Sequence, residues 1–478
     1  MAGIVIGVDS STQSTKALAV DTATGEVLGE GRAAHTVSGS GGARESDPRQ
    51  WWQALQDAIA GTGCAGRAEA VAIGGQQHGL VALDADGVPV HPALLWNDTR
   101  SADRAAALVE ELGRDAWARR TGSVPNASFT VTKWAWLRER GLTGRVAAVR
   151  LPHEYLTERL TGRPAAERSD ASGTGWWGEH GWDTGILDLV GLDPELLPPL
   201  AGPGTAAGET VGPFGGLRPG IPVALGAGDN AAAALGLGLG GGTGAAYGQP
   251  ALSLGTSGTV YAVTRGRPAD PTGTVAGFAA AHGDWLPLAC TLNCTLAVDR
   301  FATLLGRDRQ AVEAGGEAVV LPFLDGERTP ALPHAAGLVH GLRHDTTPGQ
   351  LLQAAYDGAA YALLAALDLV LAAGDEAAGD APLLLIGGGA RGRAWQDTVR
   401  RLSGRAVQLP AAGELVALGA AAQAAGLLTG EHPAEVARRW GTAAGPVLDP
   451  VEKDEAAAAR IAAVLAAGAP LLGAGPAV

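Results

Sequence analysis

The chain has 478 residues, 46% hydrophobic and 18% charged, which is the composition of a folded globular protein and argues against disorder. This length exceeds what one hydrophobic core usually supports, so two domains are expected. The net charge of −14 disfavours nucleic acid and anionic membranes as partners, and three cysteines are too few and too odd for a disulfide framework. With no basic leader and no long uninterrupted apolar run, we expect a cytoplasmic chain without a membrane span.

The N-terminal stretch predicts an antiparallel meander. Residues 3–21 (GIVIGVDSSTQSTKALAVD) contain two apolar strands around a turn of small hydroxylated residues, and a Thr-Gly turn leads to a third strand. A helix is predicted for 48–62, where a proline stands at the start of a helical apolar pattern. Residues 70–90 predict two strands around a glycine-rich break. Residues 94–112 predict a short strand that runs into a helix capped near 98–101, and 129–140 predict a short helix.

The second half repeats part of this pattern. Residues 223–240 predict a strand, a glycine break and an alanine-rich helix, and 250–264 (PALSLGTSGTVYAVT) predict another strand–turn–strand with a Gly/Ser/Thr turn. A long buried helix is predicted at 348–374, a strand–glycine loop–helix at 382–402, and an apolar helix at 413–428. This alternation predicts two α/β domains, each of which begins with a hairpin that presents backbone donors.

The two hairpin turns have the composition of phosphate-binding turns. In the first, small residues let backbone N–H groups face outward, and Lys16 adds positive charge. Asp9, at the end of the first strand, is placed to hold Mg²⁺, which takes one or two carboxylates and keeps several waters. Thr256 and Ser257 lie in the second turn. An ordinary Ser/Thr turn with a solvated aspartate remains the alternative.

Three further stretches carry candidate chemistry. Asp229 follows a strand and opens a helix, so it is either a helix N-cap or a general base that reaches a substrate hydroxyl. Gln77 and His78, in a glycine-flanked break, are suitable partners for a polyol, although a single histidine is more often structural. The run 387–392 (GGGARG) fits a dinucleotide fingerprint, or a loop against which adenine or ribose lies flat. A P-loop is excluded because the chain has no Gly-Lys pair.

These stretches, in this order, resemble the FGGY family of carbohydrate kinases, and the resemblance covers essentially the whole chain. The motifs that carry it are GVDSSTQSTK (7–16), DPRQWW (47–52), GGQQHG (74–79), ALLWNDTRS (93–101), KWAWL (133–137), GAGDNAA (226–232), SLGTSGTV (253–260), LPFLDGERTP (321–330) and LIGGGARG (385–392). Two positions depart from the common family pattern. Gln77 stands where many relatives have Met, and Ser11 replaces a glycine.

The resemblance implies an α/β fold of two duplicated ribonuclease-H-like, actin-like ATPase domains (1–235 for sugar and phosphate, 236–478 for nucleotide), with the ligands in an interdomain cleft. It implies that Asp229 is the catalytic base and that Asp9 is the carboxylate on the magnesium side. The implied sugar-binding residues are Gln77, His78, Asn230, Trp96, Asp98 and Arg100. The implied ATP-binding residues are Ser11, Thr12, Lys16, Gly255, Thr256, Ser257, Gly388, Gly389 and Ala390.

The implied reaction is phosphoryl transfer from ATP, with Mg²⁺, to the 5-hydroxyl of D-xylulose in xylose catabolism. Another family substrate, such as gluconate, ribulose or glycerol, is the alternative within the class. An actin-like ATPase without sugar kinase activity is the alternative from another class. A sugar-sensing repressor is disfavoured by the acidic charge and the strand at the N-terminus. A homodimer is one expectation for the assembly.

Overall fold

The structure is a computed structural model that describes residues 3–377 and 379–473. The chain forms two compact units. The first unit comprises Met1–Tyr247, Val263–Leu286 and Glu414–Ala443. The second comprises Gly248–Ala262, Pro287–Gly413 and Ala444–Val478. Each unit therefore draws on segments that are far apart in sequence.

Strands and helices alternate along the described residues. In chain order the strands are β1 (Ile4–Ser10), β2 (Ser14–Asp21), β3 (Val27–Ala34), β4 (Glu45–Ser46), β5 (Ala68–Gly75), β6 (Val81–Leu83), β7 (Ala93–Leu94), β8 (Ala148–Arg150), β9 (Trp177–Gly178), β10 (Gly181–Trp182), β11 (Ala206–Glu209), β12 (Pro222–Ala224), β13 (Ala227–Gly228), β14 (Pro250–Leu254), β15 (Gly258–Ala262), β16 (Ala276–Ala279), β17 (Trp285–Thr291), β18 (Val319–Leu321), β19 (Leu338–His340), β20 (Leu383–Ile386), β21 (Val407–Gln408) and β22 (Val447–Leu448). The α-helices are α1 (Pro48–Gly61), α2 (Ala102–Leu112), α3 (Arg114–Thr121), α4 (Thr130–Glu139), α5 (Pro152–Thr161), α6 (Arg168–Ala171), α7 (Thr184–Val190), α8 (Asp229–Gly236), α9 (Thr295–Leu304), α10 (Pro348–Ala373), α11 (Arg393–Ser403), α12 (Leu415–Thr429), α13 (Pro433–Trp440) and α14 (Glu455–Gly473). Short 3-10 helices lie at Ala65–Arg67, Pro194–Leu196, Phe214–Gly216 and Gly388–Arg391.

The first unit is built on a mixed sheet with strand order β11-β12-β5-β1-β2-β3, to which β13 adds beside β5. β1 and β2 form the predicted antiparallel hairpin, whereas β5 runs parallel to both β1 and β13. β1 is buried along its whole length, as expected for an apolar strand that is covered on both faces. Helices α1 and α5 pack on one face of the sheet, and α12 packs on the other.

Glycine permits the close approach of α12 to the sheet. A Cβ atom added at Gly7 in β1 would lie 2.0 Å from the carbonyl oxygen of Ala417 in α12. α8 and α12 meet in the same way, since a Cβ at Gly419 would lie 1.8 Å from the carbonyl oxygen of Ala232. The backbones of β1, α12 and α8 are therefore fixed closely against one another, and this fixes the strand ends that carry the site.

The second unit repeats the central motif of the first. β14 and β15 form an antiparallel hairpin, and β20 lies parallel to β14, as β5 lies parallel to β1. Within this unit the strands follow the order β17-β15-β14-β20-β21-β22. The long helix α10 is mostly buried, as predicted from its apolar sequence. The internal similarity seen in the sequence thus corresponds to a repeated hairpin-plus-parallel-strand unit.

Two local predictions need comment. α2 begins where it was predicted, with Ser101 as its N-cap, although the Ser101 side chain makes no capping bond and the Asp98 carboxylate accepts the backbone N–H groups of Arg44 and Arg100. By length and hydropathy, Pro348–Ala373 and Glu455–Gly473 are long and apolar enough to cross a membrane, with 67% and 22% of their most apolar windows buried. A buried core helix passes the same test, so the expectation of no membrane contact stays a prediction.

Candidate active site

The candidate site lies at the carboxyl ends of the parallel strands of the first unit. Asp9 and Ala227 both pair with Gly74, from opposite sides of β5. Gly228 pairs with Gly75 one position further on. Because parallel strands end at the same edge of a sheet, the residues that follow them are brought together. The Gln-Gln-His stretch follows β5, and Asp229 follows β13 directly as the start of α8.

Asp229 is the first residue of α8, and Gly228 is the N-cap, so the N-cap alternative for Asp229 does not hold. Its Oδ1 accepts hydrogen bonds from the backbone N–H of Asn230 at 2.8 Å and from Asn230 Nδ2 at 3.0 Å. Asn230 Nδ2 also donates to Gln77 Oε1 at 2.9 Å. The structure therefore brings Asp229, Asn230 and Gln77 into one hydrogen-bonded group, although they come from loops about 150 residues apart in sequence.

The environment of Asp229 makes its carboxyl group a base near neutral pH. Burial, and next the negative charges of Asp9 and Asp170, raise its pKa from 3.8 to about 7, although the backbone N–H of Asn230 favours the charged form. Part of the surface of Asp229 is still exposed to solvent, so a ligand can reach it. A carboxylate with such a pKa is suited to accept a proton at physiological pH.

Asp9 lies at the end of β1 with 5% of its surface exposed. Burial raises its pKa, against the opposing effects of the Ser11 hydroxyl, which donates to Oδ1 at 2.7 Å, and of the Lys16 ammonium. Lys16 Nζ lies 3.9 Å from Asp9 Oδ2 and 2.6 Å from Glu414 Oε2, just before α12. The predicted metal-side carboxylate and phosphate-side lysine are therefore neighbours, and Glu414 is a partner that sequence reasoning missed.

The chemistry of this donor set fits a magnesium ion that is held mainly by water and phosphate oxygens. In residues 3–377 and 379–473, no group of three or more His, Cys, Asp or Glu side chains is arranged to hold a metal ion. Mg²⁺ needs only one or two protein carboxylates when a nucleotide supplies further oxygens. Asp9 has the chemistry of such a carboxylate, and β1, which carries it, and β13, which precedes Asp229, both pair with the end of β5.

The predicted Trp-Asn-Asp-x-Arg stretch is divided between two environments. Trp96 is 37% exposed, and its Nε1 donates to Thr12 Oγ1 at 3.1 Å, which links a predicted sugar residue to the first hairpin turn. The Asp98 carboxylate is 1% exposed and forms an ion pair with Arg100 at 2.7 Å. Arg100 also pairs with Glu45. Direct sugar contacts of Asp98 and Arg100 stay predictions, and in this structure both side chains make internal ion pairs.

His78 is held in an unusual backbone conformation, with φ of +67°. Its Nδ1 lies 2.7 Å from the carbonyl oxygen of Gly173, so Nδ1 carries the proton and Nε2 is the acceptor nitrogen of the neutral ring. The rings of Phe129 and Phe278 lie 5.1 and 5.4 Å from the imidazole. A left-handed backbone costs a non-glycine residue about 1–3 kcal/mol, so surrounding contacts must maintain it.

The second unit contains the other predicted nucleotide residues. Gly255, Thr256 and Ser257 form the turn between β14 and β15, and Thr295 donates from both its backbone N–H and its Oγ1 to the Gly255 carbonyl. Gly388, Gly389 and Ala390 lie in a 3-10 helix between β20 and α11, where a Cβ at Gly389 would approach Thr295 Cγ2 to 2.7 Å. Thr295 therefore joins the hairpin turn to the glycine loop.

The GERTP stretch, to which the sequence assigns no role, has a structural one. Glu327 is 2% exposed, and its carboxylate accepts hydrogen bonds from the backbone N–H groups of Leu292 and Asn293 and from Asn293 Nδ2. This arrangement fixes the turn between β17 and α9.

Comparison with known proteins identifies the family. Residues 4–236 match the N-terminal domain, and residues 251–427 the C-terminal domain, of the FGGY family of carbohydrate kinases. This chain belongs to the FGGY family. It is 68% identical to the xylulose kinase of Streptomyces coelicolor, over 98% of this chain and 97% of that protein. Identity to the xylulose kinase of Streptomyces rubiginosus is 67%, over 98% and 97%.

Comparison with a solved structure shows the fold. The xylulose kinase of Bifidobacterium adolescentis, 34% identical, superposes with a TM-score of 0.84 over 97% of this chain and 99% of that one. The fold predicted for an FGGY kinase, two α/β domains of the actin-like, ribonuclease-H type, is thereby confirmed. As a member of the FGGY family, the protein is a kinase whose substrates are a sugar and ATP.

Proposed function

We propose that the protein transfers the γ-phosphoryl group of ATP to the 5-hydroxyl of D-xylulose. The observation that carries this proposal is the group formed by Asp229, Asn230 and Gln77, in which a partly open carboxylate with a pKa of about 7 lies beside two amides. The identities of 67–68% to two xylulose kinases support the choice of sugar.

Asp229 acts as the base in the proposed reaction. It accepts the proton of the attacking hydroxyl, while Asn230 holds Oδ1 and so directs the other oxygen, Oδ2, towards substrate. His78 and Gln77 orient the sugar, with His78 Nε2 as a hydrogen-bond acceptor. Phosphoryl transfer requires mainly positioning and charge stabilisation, and a rigid strand edge that carries these side chains provides positioning.

Each unit, taken by itself, carries residues that we assign to nucleotide binding. We assign the phosphates to Ser11, Thr12 and Lys16 of the first unit and to Gly255, Thr256 and Ser257 of the second, and the adenosine to Gly388, Gly389 and Ala390. Asp9 would hold Mg²⁺, which when bound neutralises phosphate charge. The proposal includes a sugar-and-phosphate domain (1–235) and a nucleotide domain (236–478). It also includes a cytoplasmic location and a homodimeric assembly.

Product identification tests the proposal. The protein is incubated with ATP, Mg²⁺ and, separately, D-xylulose, D-ribulose, gluconate and glycerol, and the products are identified by mass and NMR. D-xylulose 5-phosphate should form with the highest kcat/KM. A higher kcat/KM for another acceptor would replace the sugar in the proposal, whereas ATP hydrolysis with no phosphorylated acceptor would favour an ATPase without sugar kinase activity.

A further inference from the structure

His153 and Asp170 form a buried pair of side chains that the proposed mechanism does not use. His153, in α5, is 1% exposed and Asp170, in α6, is fully buried. His153 Nδ1 lies 2.8 Å from Asp170 Oδ2, so the two groups share one proton in a direct hydrogen bond. Two polar side chains are seldom buried together unless each is hydrogen-bonded, and each of these satisfies part of the other's requirement.

The segment around α6 holds the ring of His78. Within it, the Asp170 carbonyl accepts a hydrogen bond from the backbone N–H of Gly173 at 2.9 Å. Three residues later, the Gly173 carbonyl accepts the proton on His78 Nδ1. The His78 ring is therefore fixed by the short stretch of chain from Asp170 to Gly173, and this contact sets the tautomer of His78.

Glycine makes this arrangement possible. A Cβ at Gly173 would lie 2.7 Å from the His78 ring, so a larger residue there would displace the imidazole. A Cβ at Gly75, at the end of β5, would lie 2.9 Å from His153 Cβ. The imidazole of His78 and the side chain of His153 thus pack closely on neighbouring backbone, with little room to shift.

The same segment also contacts the junction of β13 and α8, where the proposed base lies. Ser169 Oγ accepts the backbone N–H of Gly228 at 3.3 Å, directly before Asp229. Glu167 caps α6, because its carboxylate accepts the backbone N–H groups of Ser169 and Asp170 at 2.7 Å each. α6 therefore supports both the loop that carries His78 and the start of α8, which carries Asp229.

We infer that His153 and Asp170 are positioning residues for sugar binding, and that they act through His78. His153 anchors the Asp170 carboxyl, Asp170 holds Gly173 through its backbone carbonyl, and the Gly173 carbonyl holds the His78 ring. Neither side chain touches substrate. The inference rests on the proposed function, since it assigns His78 to the sugar.

The test compares variants by steady-state kinetics with D-xylulose and ATP. His153→Leu removes the bond to Asp170 at similar volume, whereas His153→Asn places an amide N–H near the position of Nδ1. We expect His153→Leu to raise KM for D-xylulose by about tenfold or more, because small displacements of a positioning group weaken binding strongly, and to leave KM for ATP within about twofold. His153→Asn should recover most of the loss.

Leu160→Ala, on the same helix and fully buried, is the matched control for loss of stability. It should unfold more easily than the native chain and yet keep the native KM values. If His153→Leu changes KM no more than Leu160→Ala does, the inference is wrong. If the unaltered protein does not phosphorylate D-xylulose at all, the proposed function itself fails, which is a different result.

A double-mutant cycle shows whether the effect passes through His78. In a His78→Ala background, His153→Leu should raise KM for D-xylulose by less than about twofold, because the group that it positions is already gone. Independent, multiplicative effects of the two substitutions would overturn the inference even if each substitution alone raised KM.

Discussion

Replacing Asp229 with asparagine should separate the catalytic role of the carboxyl group from its effect on stability. Asparagine keeps an oxygen that can accept the Asn230 N–H, so the local hydrogen bonding survives. Without a base, kcat should fall by about 10²–10⁴, while KM for ATP changes little. At the same time the variant should be more stable than the native chain above pH 7, because it carries no charge that folding must bury.

The sign and size of this difference in the free energy of unfolding follow from the pKa of Asp229. The pKa of Asp229 is 3.8 as an ordinary aspartate and about 7 in the folded chain. Below about pH 4 the Asp229 carboxyl is protonated in both the folded and the unfolded chain, so it does not affect the free energy of unfolding. As the pH rises from about 4 to about 7, that free energy falls, because only the unfolded chain loses the proton readily. A difference of about three pKa units at about 1.36 kcal/mol each gives about 4 kcal/mol. Because Asp229 is partly exposed, solvent screening should reduce this to about 1–2 kcal/mol.

Urea unfolding followed by tryptophan fluorescence measures this difference in the relevant part of the chain. Of the 12 tryptophans, all except Trp395 belong to the first unit, which also holds Asp229. The free-energy gain of Asp229→Asn should be larger at pH 8 than at pH 5. Asp188→Asn, at an exposed position on α7, is the matched control and should show no such pH dependence.

Two results would refute the reasoning. If Asp229→Asn were less stable than the native chain at pH 8, the carboxylate would be stabilised rather than penalised by its surroundings. If kcat survived the substitution, Asp229 would not be the base, whatever its pKa.

Local patterns in the sequence predicted the elements that carry the site. Both hairpins and the strand–glycine loop–helix at 382–402 were predicted, because alternation, turn residues and helical spacing act over a few residues. Repetition of the hairpin near the start of the second half predicted two α/β domains that each begin with a hairpin, whereas the duplicated ribonuclease-H-like fold was implied by the family resemblance. Asp229 was placed correctly at a strand-to-helix junction, but its role as N-cap or base could not be decided, because the two alternatives have the same local sequence.

Contacts between distant residues could not be predicted. Lys16 pairs with Glu414, 398 positions away, and no local pattern marks either as the partner of the other. The local sequence of α5 does not distinguish His153 from other helical residues, and only the tertiary structure brings it into contact with Asp170. Asp98 and Arg100 illustrate the opposite difficulty, since the motif selects both, but the second ion pair of Arg100, with Glu45, depends on tertiary structure.

Two further substitutions test the packing and the charges around the first hairpin. Gly7→Ala would place a methyl group about where the Ala417 carbonyl lies in α12, so unfolding in urea should become easier by about 3 kcal/mol, whereas Gly144→Ala, with open space around it, should change little. Glu414→Gln removes the carboxylate that competes with nucleotide phosphate for the Lys16 ammonium. Because such a partly exposed pair is worth about 0.2–1 kcal/mol, KM for ATP should fall by up to about fivefold, with stability nearly unchanged. A rise in KM would mean instead that Glu414 holds the lysine in its binding position, and the competition argument would be wrong.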